Sequence, residues 1–156
     1  MKRLVVLVVM VTLVGLLGGQ AATAAKVRHT ALKVALLEFS ITANREAVPP
    51  GKVTFVVRNK GTVTHELVLV KGTPSSLPIV KVATPDRSVG AVDEEAISES
   101  AKEGETGDVK PGKTVKKTFK LAKGDYVMFC NIDDANADGT VTNHFHRGMT
   151  AILTVQ

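Results

Sequence analysis

The chain has 156 residues, 44% of them hydrophobic and 22% charged, with a formal net charge of +5, one Tyr, no Trp and one Cys. One thiol has no partner within its own chain, which excludes an internally disulfide-stapled fold. A weak basic excess without interleaved aromatic residues excludes a basic–aromatic nucleic-acid surface.

Lys2 and Arg3 precede an apolar run from Leu4 to Leu17, broken by Gly18-Gly19-Gln20 and followed by the small residues Ala22-Thr23-Ala24. This pattern predicts a secretory signal over 1–24, cleaved after Ala24, since the apolar run is short for a membrane span. An uncleaved anchor is the alternative. An exported, periplasmic or extracytoplasmic location follows. Cleavage leaves residues 25–156, a length suited to one domain with its own core. Losing Lys2 and Arg3 takes 20 basic residues to 18 against 15 acidic ones, or +3.

Ala25 to Thr30 reads as a loose start, with His29 a solvated terminal residue. Ala31 to Ile41 predicts a first strand, although Leu36-Leu37 blurs its alternation. Val48-Pro49-Pro50-Gly51 is a turn. Val53, Phe55 and Val57 alternate with Lys52, Thr54 and Val56 in a strand with one inward face. After a turn at Asn59 to Thr62, His65 to Val70 predicts a strand whose inward row is His65, Leu67 and Leu69. The ordinary role for such a His is a hydrogen-bonded strand end; only the C-terminal residues argue for more.

Lys71 to Lys113 reads as a long surface excursion crossing from one sheet to another, with a short strand around Ile79 to Val82 and room for a short helix over Val92 to Lys102. Val115 to Leu121 is a strand with Phe119 and Leu121 inward. Asp125 to Cys130 is another, with Tyr126, Met128 and Cys130 on one face. Tyr126 follows a turn, as in the tyrosine corner of Greek-key sandwiches, although simple core packing accounts for it equally well. Thr150 to Gln156 closes the fold. Short strands between Gly and Pro turns, with almost no helical periodicity, predict an all-β Greek-key sandwich or barrel.

The chemistry gathers at the end of the chain. A thiol (Cys130), two imidazoles (His144, His146) and a thioether (Met149) lie in one strand–loop–strand unit. If the His65 strand runs antiparallel to the Cys130 strand, His65 arrives at the same pole. Two imidazoles, a thiolate and a weak thioether are a donor set suited to one type 1 copper ion, whereas Met is a poor zinc ligand.

On these residues the chain resembles the cupredoxins, the plastocyanin-, azurin- and sulfocyanin-like copper proteins. The matching segments are Thr62-Val63-Thr64-His65-Glu66-Leu67, Tyr126-Val127-Met128-Phe129-Cys130, and His144 with Met149 in the pattern H-x4-M. The resemblance implies copper held by His65, Cys130 and His144, with Met149 axial. Its H-x4-M spacing favours His144 over His146, which would then face solvent at the pole. Two features depart from the family pattern. Thirteen residues separate Cys130 from His144, more than in plastocyanin-like loops, and Glu66 follows His65 where an Asn is usual. Asp134-Ala135-Asn136-Ala137-Asp138-Gly139 matches the first half of a calcium loop, but Phe145 stands where the bidentate Glu belongs, so an Asx-rich turn is expected.

The function implied is a small exported one-electron carrier, monomeric, meeting redox partner proteins and no nucleic acid. The alternative is a copper-binding or delivery protein that does not shuttle electrons. An enzyme is not expected, because multicopper enzymes need more histidines than the four present.

Overall fold

Two β-sheets account for most of the computed structural model, which describes residues 29–84 and 87–156. The expected leader, 1–24, lies outside the described residues. Among the described residues, no helix is long and apolar enough to cross a membrane.

Alternation decides the first sheet. β1 (Thr30–Leu37) buries Leu32, Val34 and Leu36, and β4 (Gly51–Asn59) buries Val53, Phe55 and Val57. The two run parallel, with Leu32 beside Phe55 and Val34 beside Val57. β7 (Thr114–Leu121) pairs antiparallel with the other edge of β4. β2 (Ser40–Ala43) folds back on β1, giving the order β2-β1-β4-β7. The single strand expected over Ala31 to Ile41 is therefore two. The chain reverses at Glu38-Phe39, where Phe39 takes φ 58°. The reversal sets Leu36 opposite Ile41, so both point inward. No Gly or Pro marks this corner, which is why the sequence does not announce it.

The second sheet has the order β3-β11-β8-β5-β6, from β3 (Ala47–Val48), β5 (Val68–Lys71), β6 (Lys102–Glu105), β8 (Gly124–Phe129) and β11 (Thr150–Val155). Leu67, Leu69, Tyr126, Met128, Leu153 and Val155 from this side share one core with Leu32, Phe55 and Leu121 from the first sheet. The Tyr126 hydroxyl donates to the Ala122 carbonyl at 2.9 Å and accepts from the Ala122 N–H at 3.1 Å. It thus ties back to upstream backbone as a tyrosine corner does.

The segment read as a solvated excursion is a third layer. The outward residues of β5 and β8, Val68, Val70, Val127 and Phe129, pack against Leu77, Val92 and Ile97. Among the described residues no α-helix forms there. The segment holds two 3-10 turns, Pro74–Ser76 and Glu94–Ala96, a bridge between Ile79 and Val92, and the unexpected edge strand β6. The clue was present: Leu67-Val68-Leu69-Val70 is apolar without alternation, the mark of a strand buried on both faces. The strand expected from His65 starts late, since the ladder to β8 begins at Val68. His65 itself bridges to Val109.

Ile97 is 7% exposed within this third layer. Ile97→Ala should cost about 2–5 kcal/mol in a denaturant titration, as should Leu69→Ala between the sheets. A solvated loop would make the Ile97 change silent.

Candidate metal centre

Register carries three segments to one end of the sandwich. β5 and β8 are antiparallel with Val68 opposite Phe129, so the residues before Val68 lie beside those after Phe129. β8 and β11 are antiparallel with Phe129 opposite Thr150, and the Cys130 N–H donates to the Met149 carbonyl at 3.2 Å. The Met149 N–H in turn donates to the His144 carbonyl at 3.0 Å.

His65, Cys130 and His144 meet here, all fully buried, with one donor atom from each within 4.8 Å of the others. The Nδ1 atoms of His65 and His144 are 3.2 Å apart, and Cys130 Sγ is 3.3 Å from His144 Nδ1. Donors about 2.0–2.3 Å from a shared ion in a trigonal plane stand about 3.5–3.7 Å apart. A slight expansion of the cluster therefore accommodates an ion. Met149 is fully buried in the same core cluster as Cys130. His146 lies outside the group; it is exposed and packs on Gly90, where φ is +87° and a Cβ would strike the imidazole. His29 is exposed and remote in sequence from the other three.

The electrostatics suit a cation. Burial, and then the neighbouring His144, hold His65 below the ordinary imidazole range, so it is neutral and able to ligate. Its Nε2 is buried without a hydrogen-bond partner, 4.0 Å from a Glu38 carboxylate oxygen. With its proton on Nδ1, His65 can donate to His144 Nδ1 across the 3.2 Å contact; with the proton on Nε2, both Nδ1 lone pairs are free for a cation. Burial pushes the Cys130 thiol up to about 12, so in the metal-free protein it is protonated.

Three surrounding groups brace the cluster. Glu66 donates its N–H to Cys130 Sγ at 3.4 Å, while its carboxyl accepts the Asn131 N–H at 3.0 Å. One residue thus holds the sulfur and the chain beyond it. Burial, opposed in part by that bond, pushes the Glu66 carboxyl up to about 7. Asn131 continues the brace outward, exchanging hydrogen bonds with the backbone of Val92 in the third layer at 2.8 and 2.9 Å. Phe39 sets its ring edge-on to His144 at 5.5 Å, and the Arg147 guanidinium lies 4.9 Å over the Phe39 ring. Among the described residues Phe39 is the one non-glycine with positive φ, a costly conformation for an aromatic residue that a packed site holds in place.

Sequence reasoning missed Phe39, because nothing in Glu38-Phe39-Ser40 signals a turn. Within the Asx-rich turn expected over Asp134 to Gly139, it assigned Asp134 no partner. Asp134 instead meets His144, and Asp138 accepts from Thr140. The loop folds as a hairpin of β9 (Asp133–Ala135) and β10 (Val141–Asn143), with its acidic groups engaged locally.

No protein-family model matches the chain, and comparison of its sequence with curated proteins gives no match. Its fold does match solved structures. Dithionite-reduced auracyanin from Roseiflexus castenholzii superposes with a TM-score of 0.54 at 23% identity, over 81% of this chain and 97% of that one. Auracyanin A from Chloroflexus aurantiacus, a "blue" copper protein, gives 0.53 at 18% identity over 83% and 100%. Rusticyanin from Thiobacillus ferrooxidans gives 0.54 at 15% identity over 82% and 77%. The chain has the cupredoxin fold.

Glu38 clamps the turn that leads to His65. Its carboxylate accepts the N–H and hydroxyl of Thr62 and the N–H of Val63, bonds that lower its pKa to about 2 from 4.5, the Thr62 N–H most of all. A depressed acid stabilises the fold above its unfolded pKa, and that stability is lost as pH falls through its folded value. Urea titrations of the metal-free protein should show this loss between about 4.5 and about 2. In Glu38→Gln that part of the acid dependence should be absent.

Proposed function

We propose that the protein is a small type 1 copper protein that carries single electrons between partner proteins outside the cytoplasm. His65, Cys130 and His144 would hold one copper ion, and Met149 would supply a weak axial thioether. The observation that carries this reading is the convergence of two imidazole Nδ1 atoms and the lone thiol at one buried point. The cupredoxin fold supports it, as does the description of auracyanin A as a blue copper protein.

The donor set argues for copper over zinc. Soft sulfur donors favour Cu(I) and imidazole accepts Cu(II), so one set tolerates both oxidation states. Bound copper supplies the one-electron couple. The protein's part is to keep the donors still while the charge changes. Cys130 and Met149 flank paired strands, Glu66 holds the sulfur and Asn131, and the third layer backs Asn131. Burial of all three donors keeps water from competing for the ion. The export reading rests on the residues of 1–24.

Loading with Cu(II) should produce an intense visible thiolate-to-copper band and a reversible one-electron potential, both lost in Cys130→Ser. Absence of the band in the wild-type protein would overturn the reading. A copper-binding protein that cannot cycle between Cu(I) and Cu(II) would point to delivery instead.

Because the metal-free thiol is protonated and a bound thiolate is not, loading should release protons. Calorimetric titration with Cu(II) at pH 8, in buffers of different ionisation enthalpy, should report about one proton released per ion.

A further inference from the structure

The long insertion between Cys130 and His144 returns on itself, and β9 brings Asp134 back to the ligand that ends the loop. An Asp134 carboxylate oxygen lies 2.8 Å from His144 Nε2, the ring nitrogen remote from the cluster. The hairpin is braced without this contact. Asn143 donates to the Asp133 carboxylate at 2.7 Å and to the Asn131 carbonyl at 3.0 Å, and Asp133 accepts the Ser88 hydroxyl at 2.8 Å. Asp134 pairs with Thr142 through the backbone, which leaves its side chain for the imidazole.

We propose that Asp134 is a positioning residue for the metal centre: its contact with His144 fixes the Nε2–H tautomer, turns a bare Nδ1 toward Cys130, and lowers the reduction potential of the ion held there. This rests on the blue-copper reading. The chemistry is direct. A carboxylate is acceptor-only, so the hydrogen of this bond sits on Nε2 and the lone pair on Nδ1. Nδ1 is the atom 3.3 Å from Cys130 Sγ and 3.2 Å from His65 Nδ1. A carboxylate behind a ligating imidazole raises its basicity and fixes its ring. The negative charge favours Cu(II) over Cu(I), because the oxidised ion carries one more positive charge. The two histidines are therefore unequal. His65 Nε2 has no hydrogen-bond partner and stands 4.0 Å from the nearest carboxylate, whereas His144 is held directly.

Four copper-loaded proteins test this: wild type, Asp134→Asn, Asp134→Ala and Asp138→Asn. Asp138 belongs to the same loop and bonds Thr140, so its change controls for loss of one loop charge. Both Asp134 variants should shift the Cu(II)/Cu(I) equilibrium at least tenfold toward Cu(I), a rise of about 59 mV for one electron. Asp138→Asn should shift it less than threefold. Asp134→Asn keeps an acceptor oxygen and should keep the wild-type visible band, whereas Asp134→Ala should alter it. Nitrogen-15 NMR of the metal-free wild type should find the His144 proton on Nε2. Finding it on Nδ1, or finding Asp134 variants no different in potential from Asp138→Asn, would overturn the proposal. A wild-type protein without the visible band would instead overturn the copper reading beneath it, while the metal-free NMR result still reports on the Asp134–His144 bond.

Discussion

The antiparallel register of β5, β8 and β11 is the constraint from which the rest of the molecule follows. Val68 opposite Phe129, and Phe129 opposite Thr150, leave His65, Cys130 and Met149 no choice but to emerge at one end. A slip of one residue would turn Cys130 to the opposite face, because side chains alternate along a strand. Burial on both faces makes such a slip costly. Tyr126 and Met128 fill the space between the sheets, while Val127 and Phe129 fill the space beneath the third layer.

That third layer connects the framework to the centre. Leu77, Val92 and Ile97 cover β5 and β8, and the same segment sends Val92 and Glu94 to Asn131, the residue after the thiol. Glu66 then joins Asn131 to the sulfur. The thiol and the residue after it are thus held by groups distant in sequence. On the opposite side, the Glu38-Phe39 corner approaches both imidazoles. Glu38 secures the turn before His65, and Phe39 lies against His144. A centre built on strand ends alone would leave its imidazoles open to water; here the corner and the β9–β10 hairpin close over them, and both are fully buried.

Much of this was legible in the residues, for identifiable reasons. Val53-x-Phe55-x-Val57 forms the inward face that alternation predicts, and Tyr126, Met128 and Cys130 share one core as a period of two requires. The single cysteine in a chain with a leader-like start directed attention to His65, His144 and Met149. Less was legible where the signal depends on distant partners. Leu67 to Val70 has no alternation because both faces are covered, and the covering residues lie 7 to 30 positions later. Phe39 reverses the chain without a Gly or Pro, held by packing that no local window contains. Glu66, an oddity in sequence, proves to be the brace between Asn131 and the sulfur.

By itself, the sequence determined the fold class, the strands with one buried face, and the donor types, because strand periodicity and ligand chemistry are local properties of residues. Tertiary structure alone decided how the long excursion is buried and that Asp134, in the Asx-rich loop, closes on His144. These choices depend on which groups meet across the sandwich. Contacts between residues 10 to 79 positions apart, as Asp134 is from His144 and His65 from His144, exist only once the strands have paired.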